Sequence, residues 1–152
     1  MDPIGEFLLV MLHGVTNTHL LHWQEKNGFK HRVLGKFYEL LSELTDELAE
    51  SIMGGYQMVP NFPVNYYPPS TTGEEEVMAL RDYVEENRKN LPQDTAIQTL
   101  IDAIQTQIDR TLYLIRKEYF SCSIRSKQAM ILMSLMVWGS FFLCVCEKGR
   151  CV

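Results

Sequence analysis

Four prolines within residues 56–70 interrupt a chain that otherwise shows helical periodicity, and this interruption constrains the fold more than any other feature. Proline lacks a backbone donor and clashes with the preceding helical turn, so the stretch cannot be regular structure. Fully extended at ~3.3 Å per residue, it would span roughly 50 Å, more than the ~36 Å of a 24-residue helix at ~1.5 Å per residue. It can therefore carry the chain from one end of a helical bundle to the other.

Two helices are predicted before this stretch. The first runs from Leu8 to about Lys26, with Asn27-Gly28 interpreted as its C-cap. The second runs from about Lys30 to Met53 and is expected to stop at Gly54-Gly55. The short link makes them antiparallel neighbours. The predicted inward residues are Leu8, Leu12, Val15, His19 and His22 in the first helix and Leu34, Phe37, Leu41, Leu44, Leu48 and Ile52 in the second.

Two further helices are predicted after the prolines. The third begins with the capping pattern Thr72-Gly73-Glu74-Glu75 and ends near Lys89, and the fourth follows Pro92, which suits a first helical turn. Their inward residues are predicted as Val77, Leu80 and Val84, then Ile97, Ile101, Ile104, Ile108, Leu112 and Ile115. Two helix pairs joined by one crossover predict an all-α, ferritin-like four-helix bundle over residues 8–119.

Both ends of the chain differ from this body. Residues 1–7 show no periodic pattern and leave two interpretations open, a vector-derived leader or native sequence. Residues 120–152 form an apolar, cysteine-containing tail, in which 129–146 carry no formal charge. Three interpretations of that run stay open. It is a membrane anchor, an extra apolar helix packed in the bundle or in a subunit contact, or an unrelated read-through.

Charge and cysteine distribution exclude some functions. Residues 1–119 hold 10 Lys/Arg and 18 Asp/Glu, a net charge of −8, and no basic stripe is present, so nucleic acid is an unfavourable partner. All four cysteines lie between residues 122 and 151. The body therefore has no disulfide framework, which predicts a cytoplasmic protein.

The second helix has an outward face with its own chemistry. At ~100° per residue, His31, Asp46 and Glu50 fall within about 100° of one another and away from the apolar stripe. Together with His22 they form a set of two imidazoles and two carboxylates, which is typical of ligands for redox-active iron. The alternative is a solvated polar strip, which is the usual role of charges outside a core stripe.

Each candidate also has a structural interpretation. His22 is either a metal ligand or a half-buried, hydrogen-bonded histidine at a helix end. His19 is either a residue that supports the ligands or polar filling. Trp23 either shields the site and takes up oxidising equivalents or is a core aromatic.

The run His22-Trp23-Gln24, with His31 and then Asp46 and Glu50 four residues apart, resembles the miniferritins of the DNA-protection-during-starvation (Dps) type. Their pattern begins His-Trp-Asn, and their Asp follows the second histidine by 15 residues, as Asp46 follows His31 here. The resemblance covers residues 8–51 in motif detail. It departs in the interval between the histidines, which is 9 residues here, and at Gly35, where the family commonly has Asp.

The resemblance implies a divergent, phage or bacterial ferritin-like protein that stores iron and oxidises Fe(II) at a di-iron site between two subunits. His22 and His31 of one chain would meet Asp46 and Glu50 of the other, with His19 and Trp23 nearby. The implied partner is a second copy, in a two-fold dimer or a cage. Two other functions stay open: a non-catalytic interaction or structural protein, and a bundle tethered to a membrane through residues 129–146.

Overall fold

The computed structural model describes the backbone of residues 2–135 and the side chains of residues 2–117, and within these the chain is all-helical. The helices are α1 Pro3–Gln24, α2 Gly28–Tyr56, α3 Gly73–Asn87 and α4 Thr95–Leu135, with a 3₁₀ turn at Arg88–Asn90. The prediction of an all-helical chain with four helices is confirmed. The chain divides into two units, residues 1–117 and 118–152, and the first contains the core described here.

The connection between α2 and α3, residues 57–72, runs back along α1. The Asn61 amide donates to Asp2 Oδ2 at 2.8 Å, beside the start of α1. The Tyr67 carbonyl accepts from Asn17 Nδ2 at 3.1 Å, in the later part of α1. Asp2 and Asn17 are about 22 Å apart along a helix at ~1.5 Å per residue. The proline-rich segment therefore spans most of the length of the bundle.

This path fixes the helix directions. Antiparallel α1 and α2 are followed by an α3 that begins beside the start of α2, where Gly73 packs against the Leu34 side chain. The Tyr56 hydroxyl donates to Asp94 Oδ2, which ties the end of α2 to the start of α4. At the other end, Arg116 Nε donates to Glu74 Oε1 at 2.8 Å. Thus α2 and α3 run parallel, and α4 runs antiparallel to both.

The core is formed by one apolar stripe from each helix. In α3 and α4, all nine predicted inward residues are buried, and in α2 only Leu44 of the predicted set is partly exposed. Heptad-like 3/4 spacing identified these faces because the apolar residues on them are unbroken. The intrachain core is therefore a property of the sequence pattern itself.

Of the predicted inward stripe of α1, Leu8 is buried and Val15 is partly buried against the core, but the prediction was wrong at Leu12. Leu12 is 40% exposed, whereas Phe7, Met11 and Leu21 are buried. The buried row also includes Gly14 and Thr18, which are not apolar and so hid its periodicity. Gly14 allows close approach there, since a Cβ would lie 2.7 Å from Leu80 Cδ2 and the Leu80 side chain would have to shift. The contact between α1 and α3 is therefore made partly by small residues, and the buried face of α1 has no continuous apolar row.

Two predicted helix-end signals were also wrong. Asn27 does not end α1; its side-chain oxygen accepts from the amides of Phe29 and Lys30 at 2.9 and 3.0 Å and so caps the start of α2. Gly54 and Gly55 are helical, and α2 continues to Tyr56. Gln57 then takes the left-handed conformation with φ 50°. An Asn-Gly pair is common both at the end of one helix and at the start of the next. The local sequence therefore did not show which of the two helices Asn27 caps.

Residues 3–7, which were kept out of the predicted bundle, belong to α1. Asp2 is its N-cap and Pro3 occupies the first turn, the position that proline favours. Phe7 is 1% exposed in the core, and Gly5 lies so close to the Asn61 carbonyl that a Cβ would be 2.2 Å from its oxygen. The first turn is therefore held by the crossover.

The apolar run at 129–146 is described only as far as Leu135, within α4, and residues 136–146 lie outside the described residues. Among the helices that the structure describes, none combines the length and hydropathy needed to cross a membrane.

Candidate functional site at the α1–α2 turn

Two histidines interlock where α1 meets α2. The imidazole rings of His22 and His31 are stacked, with centroids 3.7 Å apart and planes inclined by 22°. His22 Nδ1 lies 2.7 Å from the carbonyl oxygen of His31, and His31 Nδ1 lies 2.8 Å from the carbonyl oxygen of His22. Each ring is therefore bonded to the backbone of the other helix.

These reciprocal bonds fix the tautomer of both rings. A carbonyl oxygen only accepts, so each Nδ1 must carry the hydrogen. In the neutral imidazole, Nε2 then holds the lone pair. A hydrogen bond from Nδ1 to a backbone carbonyl is the usual support of a histidine that binds metal through Nε2. His22 is thus half-buried and hydrogen-bonded, as its structural interpretation predicted, in a form that suits ligation as well.

Gly35 leaves the space that the His22 ring occupies. A Cβ at this position would lie 3.0 Å from His22 Cε1 and 3.3 Å from Nδ1, closer than ordinary carbon contacts. The same position was noted in the sequence only as a departure from the miniferritin pattern. Its contact with His22 shows that a small residue is required for the present ring geometry.

The residues predicted to surround the ligands are close to them. His19 is 6.1 Å from His22 and 4.5 Å from Trp23, measured between ring centroids. Trp23 is 65% exposed, so the interpretation as a core aromatic was wrong. Sequence reasoning missed Tyr38, which stacks on His19 at 4.2 Å and meets His22 edge-on at 5.6 Å. Tyr38 follows His31 by seven residues, about two helical turns. This spacing places both residues on the same side of α2 and could have identified Tyr38.

The two carboxylates lie on the outward face of α2 and away from the histidines of the same chain. Asp46 and Glu50 are both exposed. Asp46 follows His31 by 15 residues, about 22 Å along one helix at ~1.5 Å per residue. Within the residues that the structure describes, no group of three His, Cys, Asp or Glu side chains is placed to hold a metal ion. A single copy brings the two histidines together but not the four predicted ligands.

A second polar cluster, also missed from the sequence, lies where α1, the crossover and α3 meet. Glu76 is 6% exposed; its Oε1 accepts from Asn17 Nδ2 at 3.0 Å and its Oε2 from the Ser70 amide at 2.8 Å. Nearby, burial together with the Glu6 and Tyr67 charges raises the pKa of Tyr83 to about 12. In this cluster both carboxylate oxygens of Glu76 are used inside the chain.

Comparison with known proteins gives a family and no function. No curated protein and no solved structure matches the chain significantly. One family model, DUF5856, matches residues 22–115, which is more than half of the 152-residue chain. The matched region begins at His22 and contains the α1–α2 turn, the crossover and most of the bundle. The protein therefore belongs to DUF5856, a family of unknown function.

Proposed function

We propose that the protein is a ferritin-like, Dps-type ferroxidase and iron-storage protein that oxidises Fe(II) between two copies of the chain. The observation that carries this proposal is the interlocked histidine pair, in which both Nδ1 atoms are bonded to backbone carbonyls. Two Nε2 lone pairs are then available at one helix end. The helix directions support it as well, because one long crossover between parallel second and third helices is the ferritin-like connectivity.

A second copy would complete the site through symmetry. The row His31, Gly35, Ser42 and Asp46 on α2 is arranged evenly about the Tyr38–Glu39 peptide. Two antiparallel α2 helices related by a two-fold axis at this point place His31 opposite the partner subunit's Asp46, and Gly35 opposite the partner subunit's Ser42. The small residues permit close approach. The pairing also explains why ligands about 22 Å apart on one helix can serve one site.

In the proposed reaction, iron is the substrate. His22 and His31 bind Fe(II) through Nε2, and Asp46 and Glu50 of the partner subunit supply oxygen ligands, one of them shared between two ions. Each Fe(II) gives up one electron to dioxygen or peroxide from solution. With peroxide, one molecule takes two electrons and two protons and becomes two waters. The exposed Trp23 and the His19–Tyr38 stack border the site.

Iron titration tests the proposal. Fe(II) added under air to the purified protein should produce an ultraviolet absorbance rise faster than in buffer, and Glu50→Ala should lose at least about 90% of that rate, as expected for a lost ligand. Glu85→Ala is the matched control, since Glu85 is an exposed carboxylate on α3. Wild-type protein that oxidises Fe(II) no faster than buffer would refute the ferroxidase.

One observation favours a second candidate, a non-catalytic interaction protein. The crossover exposes apolar side chains: Val64 is fully exposed, Val59 is 83% exposed and Tyr66 is 75% exposed. Several exposed apolar side chains on one segment suit a contact surface if they lie together. A wild-type chain without iron turnover that forms a stable complex with a defined partner, lost on Val64→Asp, would support this candidate instead.

A further inference from the structure

A cavity of about 230 Å³ lies at the crossover junction, where α1, the crossover and α3 meet. Its polar lining consists of His13, Asn17, Tyr67, Ser70, Glu76 and Tyr83. Among the described residues, no Lys or Arg side chain is part of the lining. The cavity shares no residue with the histidine pair at the α1–α2 turn, so it is a separate place at which a ligand can bind.

The Glu76 carboxylate in this cavity is a buried charge whose hydrogen-bond donors are neutral. It is 6% exposed, and its oxygens accept from the Asn17 side-chain amide and the Ser70 backbone amide. In the part of the chain that the structure describes, the ion pairs are Arg81–Asp82, Arg88–Asp102 and Arg116–Glu74. Glu76 is in none of them, although a buried charge is normally paired with an opposite one. A carboxylate has about four lone-pair sites, so Glu76 can still accept from a cation in the cavity.

The imidazole of His13 is a second group at the cavity without a matching partner. Its Nδ1 atom is buried and has no hydrogen-bond partner among the described residues. Buried polar atoms are nearly always hydrogen-bonded, and an exception calls for a ligand, an ion or a water. When the ring carries its hydrogen on Nε2, Nδ1 is an acceptor. A ligand with N–H groups would satisfy this atom.

Aromatic rings make the same cavity favourable for an organic cation. Tyr67 and Tyr83 line it, and the His13 ring lies 5.4 Å from Tyr67 and 6.0 Å from Tyr66, measured between centroids. The faces of aromatic rings attract cations, and sets of such rings bind ammonium ligands in proteins. Glu6 adds a second carboxylate, since its Oε1 accepts from the Tyr67 hydroxyl at 3.2 Å. Acceptors, aromatic rings and negative charge therefore meet at one cavity.

We infer that this cavity binds a small organic cation with N–H donors, a primary alkylammonium ion. Its ammonium group has three donors and donates to His13 Nδ1 and to the Glu76 carboxylate. Its aliphatic part lies against the apolar lining, which includes Val10 and Leu80. A metal ion fits less well, because no group of three His, Cys, Asp or Glu side chains within the described residues is placed to hold one. The inference does not depend on the proposed iron chemistry.

Isothermal titration calorimetry of the full chain with n-butylammonium chloride tests the inference, in phosphate buffer with EDTA and without any amine buffer. We expect saturable binding of one ion per chain with a Kd of about 1 mM or below. 1-Butanol has a similar shape without the charge, and tetramethylammonium has the charge without N–H donors. Each should bind at least about tenfold more weakly. No saturable butylammonium binding, or equal binding of either analogue, would overturn the inference.

Two variants assign the binding to this cavity. Glu76→Gln should weaken butylammonium binding at least about tenfold, and Glu75→Gln, an exposed neighbour on α3, is the matched control that should leave it unchanged. Because Glu76 also stabilises the fold, His13→Phe provides a second test. It keeps an aromatic ring and removes an unpaired buried atom, so the variant should remain as stable as wild type while binding at least about tenfold more weakly. Circular dichroism establishes that each variant is folded, and wild-type affinity in folded His13→Phe would overturn the inference.

Discussion

The two polar junctions of the bundle differ in how the fold uses Glu76 at one and the His22–His31 pair at the other. At the crossover junction, Glu76 accepts two hydrogen bonds from within the chain through both of its oxygens. At the α1–α2 turn, His22 and His31 each use Nδ1 for the backbone, while neutral rings keep a lone pair on Nε2. At the first junction the fold uses both oxygens of Glu76, although the buried Nδ1 of the nearby His13 has no hydrogen-bond partner among the described residues. The second has ligand capacity beyond what the fold requires, which is the basis for assigning function to it.

The largest expected effect on stability is at the crossover junction. Glu76→Ala removes the acceptor of the Ser70 amide and one of the two acceptors of Asn17 Nδ2, which should lower the free energy of unfolding by about 2–4 kcal/mol, as for a lost buried charged acceptor. Urea denaturation measures it. Glu75→Ala, an exposed neighbour in the same turn, should change stability by less than about 0.5 kcal/mol. Equal losses in both variants would show that the junction does not stabilise the fold.

The His22→Ala variant should lose little stability but most of its Fe(II) oxidation rate. Loss of one stacked ring and one backbone bond should lower stability by about 1–2 kcal/mol, while the Fe(II) oxidation rate should fall to near that of buffer. Denaturation and stopped-flow absorbance on the same sample measure the two effects. His19→Ala, which leaves the stacked pair intact, is the matched variant and should keep most of the rate. A fully active His22→Ala protein would remove the distinction between the two junctions.

Gly35→Ala tests whether the His22 ring needs its present position. Alanine normally stabilises a helix interior by about 1 kcal/mol relative to glycine, and Gly54→Ala, with no atom within 4 Å of the added Cβ, should show that gain. At Gly35 the new Cβ would lie 3.0 Å from His22 Cε1. We expect the gain to be lost and iron affinity to fall by about tenfold. Equal stabilisation at both glycines would contradict the close contact.

The smallest effect concerns pH. Tyr83 has its pKa raised to about 12, first by burial, so the folded state keeps a proton that the unfolded state releases near its usual pKa of about 10. Stability contributed by the neutral hydroxyl is therefore fully present below about pH 10 and declines from there to about pH 12. Tyr83→Phe should flatten this part of the stability curve. An unchanged slope would assign the decline to other groups.

The core faces that consist of regularly spaced apolar residues were predicted correctly from the sequence. The prediction was wrong where small residues packed closely form the buried face. Ile101, Ile104 and Ile108 were placed correctly because an unbroken apolar row has one interpretation. The α1 row was misplaced because Gly14 contributes to the core through close approach rather than hydrophobicity. Asn27 was assigned to the wrong helix end because an Asn-Gly pair serves either one.

For the candidate site, residue types and spacing identified His22 and His31, and their interlocking was visible only in three dimensions. The contacts depend on backbone carbonyls, which have no sequence signal. Tyr38 and Glu76 were missed for different reasons. The ring of Tyr38 reaches another helix. Glu76 is the buried member of a run of three glutamates, Glu74 to Glu76, and such acidic runs are usual at a helix start.

Complementation between two inactive variants tests the central claim most directly. One variant lacks the histidines (His22→Ala with His31→Ala), and the other lacks the carboxylates (Asp46→Ala with Glu50→Ala). If each site takes histidines from one chain and carboxylates from the other, random mixing should restore about a quarter of the wild-type oxidation rate, because half of the dimers carry one intact site of two. Two folded, dimeric variants that remain inactive after mixing would contradict a site shared between subunits.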